Sequence, residues 1–284
     1  MKTPRMPWPD ERNFSEVNDL FTRLLGLWEK DDPLACRGQP DSTSSLQSSL
    51  DRILDPKADY SERLAEEEAI IEKFRVLARQ YLGEAEKQYL VGTHENDRIG
   101  ALTVMQHYRA PTRLLDWTAS PWVALYFAAI HHHDKDGALW WFKRKAFCDE
   151  VGQRWENYGL RRHPEQNNGI DLNDTAFNTD GPPWITELNC LVPFHRIEVQ
   201  QGFFTVAGRL GLDHGDLIAD VMSQAAGQFS RIAVRASWKQ EILQRLRNMN
   251  IHAKSLDYPG ADIVGNDLTQ DLKRALRSAT SQDQ

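Results

Sequence analysis

The chain is 284 residues long, 40% hydrophobic and 26% charged, with a formal net charge of −7. That length and composition give enough apolar surface for a real core and exclude a disordered or fibrous chain. The acidic balance excludes indiscriminate nucleic-acid binding by the surface as a whole, while a local basic patch stays open. No apolar run approaches the roughly 18 residues that cross a bilayer, and the opening "MKTPRMPWPDERNF" lacks the apolar centre of a signal peptide. A soluble protein with no membrane partner is therefore expected. Cys36, Cys148 and Cys190 form no CxxC pair and leave one odd thiol. They point away from a disulfide framework or structural zinc and towards a reducing, cytoplasmic setting.

The proline-rich opening reads as a tether. "FSEVNDLFTRLLGLWE" then places Phe14, Val17, Leu20, Phe21, Leu24, Leu25 and Trp28 at helical spacing, ended by Asp31, Asp32 and Pro33. "LACRGQPDSTSSLQSSLDRIL" predicts a short strand, a Gly-Gln-Pro turn and a helix capped by Ser or Thr. "YSERLAEEEAIIEKFRVLARQYL" is a helix by propensity, its acids ahead of its bases as the helix dipole prefers, with Glu66, Glu67 and Glu68 expected on a solvated face. A second helix ends near "MQHY". The strands "TRLLDW", "GALWWFKR", "FHRIEVQQGFFTVAG" and "FSRIAVRA" follow, with a long polar loop over residues 161–184 and closing helices from "WKQEILQRLRNMN" and "SLDYPGADIVGNDLTQDLKRAL". Interleaving without a regular βαβ repeat predicts an α+β fold rather than a doubly wound sheet.

The densest chemistry lies in "MQHYRAPTRLLDWTASPWVALYFAA", residues 105–129. Ser120 suits an N-cap and Pro121 the first helical position, where its missing N–H costs nothing. Asp116, Trp117 and Thr118 then sit at a strand end facing a helix N-terminus, a place that attracts anions. Residue types alone leave two readings. Either Asp116 caps the helix and pairs with Arg113 or another cation while the tryptophans fill the core, or these residues meet a ligand. Trp117 and Tyr108 suit stacking on a ring, although buried aromatics more often serve as core, and His107 is open between a ligand-facing and a structural place. "HHHDKD", His131 to Asp136, follows a helix C-terminus without ligands from a second element and reads as a solvated end, not a metal site. Cys148 and Cys190 read as structural thiols.

"QHYRAPTRLLDWTASPWVALYFA" resembles the hallmark of the FRG domain family, and "CRGQPDSTSSLQSSLDRI" resembles the aromatic-Arg-Gly element after which that family is named. "RIEVQQGFFTV" and "YPGADIVGNDL" resemble its later blocks in the same order. The resemblance thus runs over about residues 33–272, with 1–32 as tether and amphipathic helix and 273–284 as a polar tail. Two departures are visible: Cys36 stands where the family has an aromatic, and Arg109-Ala110 replaces the usual Gly.

A remoter likeness links the chain to the Arg-Ser-Glu class of ADP-ribosyltransferases. Arg37-Gly38 fits the first-strand Arg, "DWTASPWVALYFA" resembles the Ser-Thr-Ser strand and its helix, and "RIEVQQGFF" takes the place of the acidic strand. The likeness implies a split sheet of mixed, mostly antiparallel strands with flanking helices. It also implies consumption of NAD as substrate, by ADP-ribosyl transfer or glycohydrolysis, in a bacterial toxin or phage-defence effector. On this resemblance Glu198, Gln200 and Arg37 are the expected catalytic residues. Arg37, Gly38, His107, Tyr108, Arg113, Asp116, Trp117, Thr118 and Gln201 are expected to bind NAD, with no metal. The acceptor, protein or nucleic acid, stays open.

The chemistry fits those residue types. Cleaving the nicotinamide–ribose bond passes through an oxocarbenium-like state that a carboxylate stabilises. A guanidinium fork suits a pyrophosphate, and a glycine beside it permits close backbone approach. Two other classes remain: a non-catalytic module binding a nucleotide or nucleic acid in the same cleft, and a scaffold that docks a protein partner through the N-terminal amphipathic helix.

Overall fold

The computed structural model describes residues 8–28, 32–78, 81–90, 97–157, 177, 183–190, 192 and 194–257. In chain order these form β1 (Asp10–Glu11), α1 (Val17–Leu27), β2 (Leu34–Gln39), α2 (Tyr60–Ala78), α3 (Glu84–Leu90), α4 (Arg98–His107), β3 (Leu114–Thr118), α5 (Pro121–Ala129), β4 (Gly137–Lys143) and α6 (Arg144–Asn157). There follow β5 (Ile185–Leu188), α7 (His195–Val199), β6 (Gly202–Ala207), α8 (His214–Val221), β7 (Phe229–Val234) and α9 (Lys239–Asn248). The strands make one sheet in the order β1-β7-β4-β2-β3-β6-β5. Among the described strands only β1 and β7 pair in parallel. The fold is α+β around a mixed, mostly antiparallel sheet, as the element pattern predicts.

Strand alternation divides the core between the two faces of this sheet. Leu34 and Cys36 of β2 turn to one side with Leu139 and Trp141, where α1, α5 and α9 cover them. Ala35, Leu115, Trp117, Phe142 and Phe204 belong to the other core, covered by α2, α4, α6 and α8. Helix α5 lies very close to the sheet because two strand positions carry no side chain. A Cβ on Gly38 would stand 1.8 Å from the Ala124 carbonyl oxygen, and one on Gly137 would stand 2.5 Å from that of Ala128. As its sequence predicts, α5 starts at Ser120, whose hydroxyl accepts from the Val123 N–H, with Pro121 in its first turn.

Four local expectations change. The opening residues are not simply a tether: Asp10 and Glu11 pair with Arg231 and Ile232, and Trp8 packs edge-on against Trp140 and Phe229. "LQSSLDRIL" forms turns rather than a helix. The Ser48 hydroxyl accepts from the Asp51 N–H and donates to its carboxylate, and Leu50 donates its N–H across to the Thr112 carbonyl, so side chains compete locally with helical bonding. In α1 the apolar stripe is narrower than expected, with Leu25 and Trp28 exposed. "FHRIEV" is a helical turn, not part of a strand: Phe194 is buried and Ile197 packs on the core while His195 and Glu198 are exposed. A spacing of three over so few residues is easily read as alternation. "YPGADIVGNDL", the expected closing helix and the 273–284 tail lie outside the described residues, as does nearly all of the 161–184 loop.

The cleft arises from unequal pairing along β2. On one edge all six residues, Leu34 to Gln39, pair with β4. On the other, β3 meets β2 at one pair, Cys36 with Thr118. Continued antiparallel pairing would place Gly38 opposite Asp116. Instead the Arg37 side chain enters the gap, and its Nη1 donates to the Asp116 main-chain oxygen at 2.6 Å.

Candidate functional site

The opening between β2 and β3 is a cleft of about 450 Å³. Arg37, Gly38, Asp116, Trp117, Thr118 and Gln200 line it, together with Gln106, Arg109 and Arg196. Strand ends from "CRG" and "LDWT" and the end of "EVQQ" therefore meet in one place, Gln200 arriving at the C-terminus of α7 rather than on a strand.

Arg37 occupies the floor. Its side chain is 18% exposed, and Nη1 stands 3.9 Å from the Asp116 carboxylate. Its buried Nε–H has no hydrogen-bond partner among the described residues. Burial lowers its pKa, which Asp116 opposes and Arg52 reinforces. Asp116 turns a 54% exposed side chain to the opening and accepts from Gln106 Nε2 at 2.8 Å. The oxygen of that amide accepts from the Thr112 hydroxyl.

Thr118 ties the wall together. Its hydroxyl donates to the Gln200 carbonyl at 2.6 Å and accepts from the Ser120 N–H at 3.0 Å. The Gln200 amide donates to the Leu256 carbonyl at 2.7 Å. Trp117 has its ring in the core at the base of the cleft, and its Nε1–H donates to Thr205 Oγ1 at 3.0 Å. That hydroxyl lies 2.8 Å from His214 Nδ1. His214 is fully buried, and its pKa falls to about 3 by loss of hydration.

Other expected site residues lie elsewhere. Arg113 is buried in an ion pair with Glu67 and also donates to the Ala207 carbonyl. Glu67 is therefore not on a solvated face; Glu66 is exposed and Glu68 pairs with Arg98. Asp116 does not pair with Arg113; the cation beside it is Arg37, at 3.9 Å. Tyr108 is core, with its hydroxyl donating to Glu86 at 3.0 Å. His107 lies against Phe194 with ring centroids 3.6 Å apart and planes 4° from parallel. Burial first, then Arg196 and Arg109, lower its pKa to about 3. Glu198 is exposed and does not line the cleft, and Gln201 is an exposed turn residue with φ of 49°. Asp116 is thus the one carboxylate among the described lining residues.

Gln106, Arg109 and Arg196 are lining residues that residue types did not single out as a site. Gln106 and Arg109 were within the quoted motif; helical spacing in "FHRIEV" was the signal for Arg196. Cys36 is a buried thiol with its pKa raised by burial, Cys148 is pushed up to about 11 by the same cause, and none of the three cysteines is in a disulfide. Among the described residues no cluster of three His, Cys, Asp or Glu could hold a metal. No helix among them is long and apolar enough to cross a membrane.

Comparison with known families finds an FRG domain match over residues 32–137, which holds the first two motif blocks, while "RIEVQQGFFTV" and "YPGADIVGNDL" lie beyond it. The span starts just before β2 and ends at the first residue of β4, and thus contains both walls of the split, with Arg37 and Asp116. No curated protein matches the chain, and no solved structure does.

Proposed function

We propose that the β2–β3 cleft binds a dinucleotide of the NAD type and cleaves its nicotinamide–ribose bond. The observation that carries the reading is the pairing, on the floor of one cleft, of Arg37 with its unused Nε–H and the solvent-facing Asp116 carboxylate. Arg37 would take the pyrophosphate, where a guanidinium makes short charge-assisted bonds, and Gly38 would let the ligand approach the backbone. Asp116 would face the ribose. As the C1′–N bond breaks, its electron pair leaves with nicotinamide and positive charge develops on the ribose, which a nearby carboxylate stabilises. Water or an acceptor nucleophile then bonds to C1′ and loses a proton. The setting that goes with this activity is a toxin or defence effector.

The test is to incubate the protein with NAD and measure nicotinamide. Release that Asp116→Asn lowers by at least about a hundredfold, with NAD still bound, supports the assignment. Binding without release favours the second reading, a non-catalytic nucleotide module. That reading draws on the placement of Glu198, the acid expected from the resemblance, outside the cleft. Absence of NAD binding overturns both.

A further inference from the structure

Helix α4 ends in a six-residue closure. Arg109 donates its N–H to the Gln106 carbonyl at 3.1 Å, and Ala110 donates to that of Met105 at 2.9 Å. The residue between these bonds must be left-handed, and this position normally carries glycine. Here it is Arg109, at φ of 59°. A side chain in that region costs stability relative to glycine, and such outliers gather at functional sites. Among the described non-glycine residues with positive φ, Arg109 alone lines the cleft.

A second guanidinium is brought to the same rim by a different element. Arg196 enters from α7, and its Nη2 donates to the Gln106 carbonyl at 3.3 Å, the oxygen that also accepts from Arg109 N–H. Both charges bear on His107, which burial keeps neutral between them. Arg37 and Asp116 lie on the strand side of the cleft, and Arg109 and Arg196 on the helix side. Among the described lining residues the cleft thus carries cations on both sides and one carboxylate, Asp116, beside Arg37.

We infer that Arg109 and Arg196 form a subsite for a phosphomonoester, so that the cleft selects a dinucleotide carrying a phosphate beyond its pyrophosphate, as NADP does. Two guanidiniums match the charge and the three outer oxygens of such a group. The inference rests on the dinucleotide reading above and names its substrate class. The strained backbone is the cost of keeping an arginine at that rim.

The test is calorimetric titration of the full chain with NAD and with NADP, for wild type, Arg109→Gly and Arg196→Gln. Wild type is expected to prefer NADP by about tenfold or more. In Arg109→Gly that preference is expected to fall towards one while the melting temperature holds or rises, because glycine relieves the left-handed strain. Arg196→Gln is expected to lower the same ratio without the gain in melting temperature. Equal affinity of wild type for the two nucleotides overturns the subsite and leaves the dinucleotide reading standing. A preference unaltered in both folded variants overturns it as well. Binding of neither nucleotide by wild type overturns both.

Discussion

Two buried guanidiniums on either side of the same sheet seam behave differently. Arg113, 1% exposed, faces an equally buried Glu67, which meets its Nε and Nη2 while the Ala207 carbonyl meets Nη1. Among the described residues Arg37 has one main-chain acceptor, a carboxylate at 3.9 Å and an Nε–H that none of them meets. The first arrangement closes on itself and can only hold α2 against β3. The second leaves binding capacity facing a cavity. A buried donor without a partner is costly in a protein that never fills the site, and useful in one that does.

The largest test of this contrast is to break the closed pair. Arg113→Met leaves Glu67 buried and unpaired and is expected to lower stability by about 3–5 kcal/mol in denaturant titration. Adding Glu67→Met removes the stranded charge and is expected to restore most of the loss. A single variant within about 1 kcal/mol of wild type would show that the pair is not structural in this sense.

The open site depends on α5 resting against bare backbone. Gly38→Ala would drive a Cβ into the Ala124 carbonyl and the Ala128 N–H, neither of which can move without the helix. A loss of about 1–3 kcal/mol or more is expected. Gly26 in α1 gives the opposite sign: a Cβ there meets nothing within 4 Å, so Gly26→Ala is expected to stabilise by about 0.5–1 kcal/mol. Equal effects from the two changes would contradict the close approach of α5 to β2.

How much of this was legible in the sequence depends on the range of each interaction. Helix α5 with its Ser120 cap, and strands β4 and β7, follow from neighbouring residues and lie where the pattern puts them. The core fate of Glu67 was hidden because its partner is 46 residues away. In a run of three glutamates nothing local marks the middle one. The short α7 escaped because five residues hold too little periodicity to separate helix from strand. The gathering of Arg37, Asp116 and Gln200 was anticipated through motif resemblance. The reason they gather, a seam paired at one residue, is a property of strand register that no single segment encodes. Trp8 and β1 were missed since two extended residues gain their order only from an existing sheet edge.

Acid dependence separates the buried imidazoles from the open cleft. His107 and His214 both titrate near 3 in the folded protein because burial removes their hydration, against about 6.5 in an unfolded chain. Between those values the unfolded chain binds protons the native state refuses. Stability is therefore expected to fall as pH drops from about 6.5 towards 3, by up to about 1.4 kcal/mol per pH unit for each imidazole. His107→Phe keeps a flat ring against Phe194 and removes a buried Nδ1 that lacks a partner among the described residues. It is expected to be close to neutral at pH 7 and to make the acid slope shallower. Melting curves from pH 7 to 4 check this, and a slope equal to that of wild type would count against a neutral, buried His107.

Arg37 itself gives the most direct measurement. NAD affinity and ligand-free melting temperature are to be measured on the same preparations of wild type, Arg37→Ala and Arg37→Lys. Loss of a charge-assisted contact to the pyrophosphate predicts a Kd raised by about ten- to hundredfold in Arg37→Ala. Only partial recovery is expected in Arg37→Lys, whose point charge lacks the planar fork, and all three proteins should stay folded. Unchanged affinity in a folded Arg37→Ala protein would contradict the account, and so would a drop in melting temperature alone, shared by both variants.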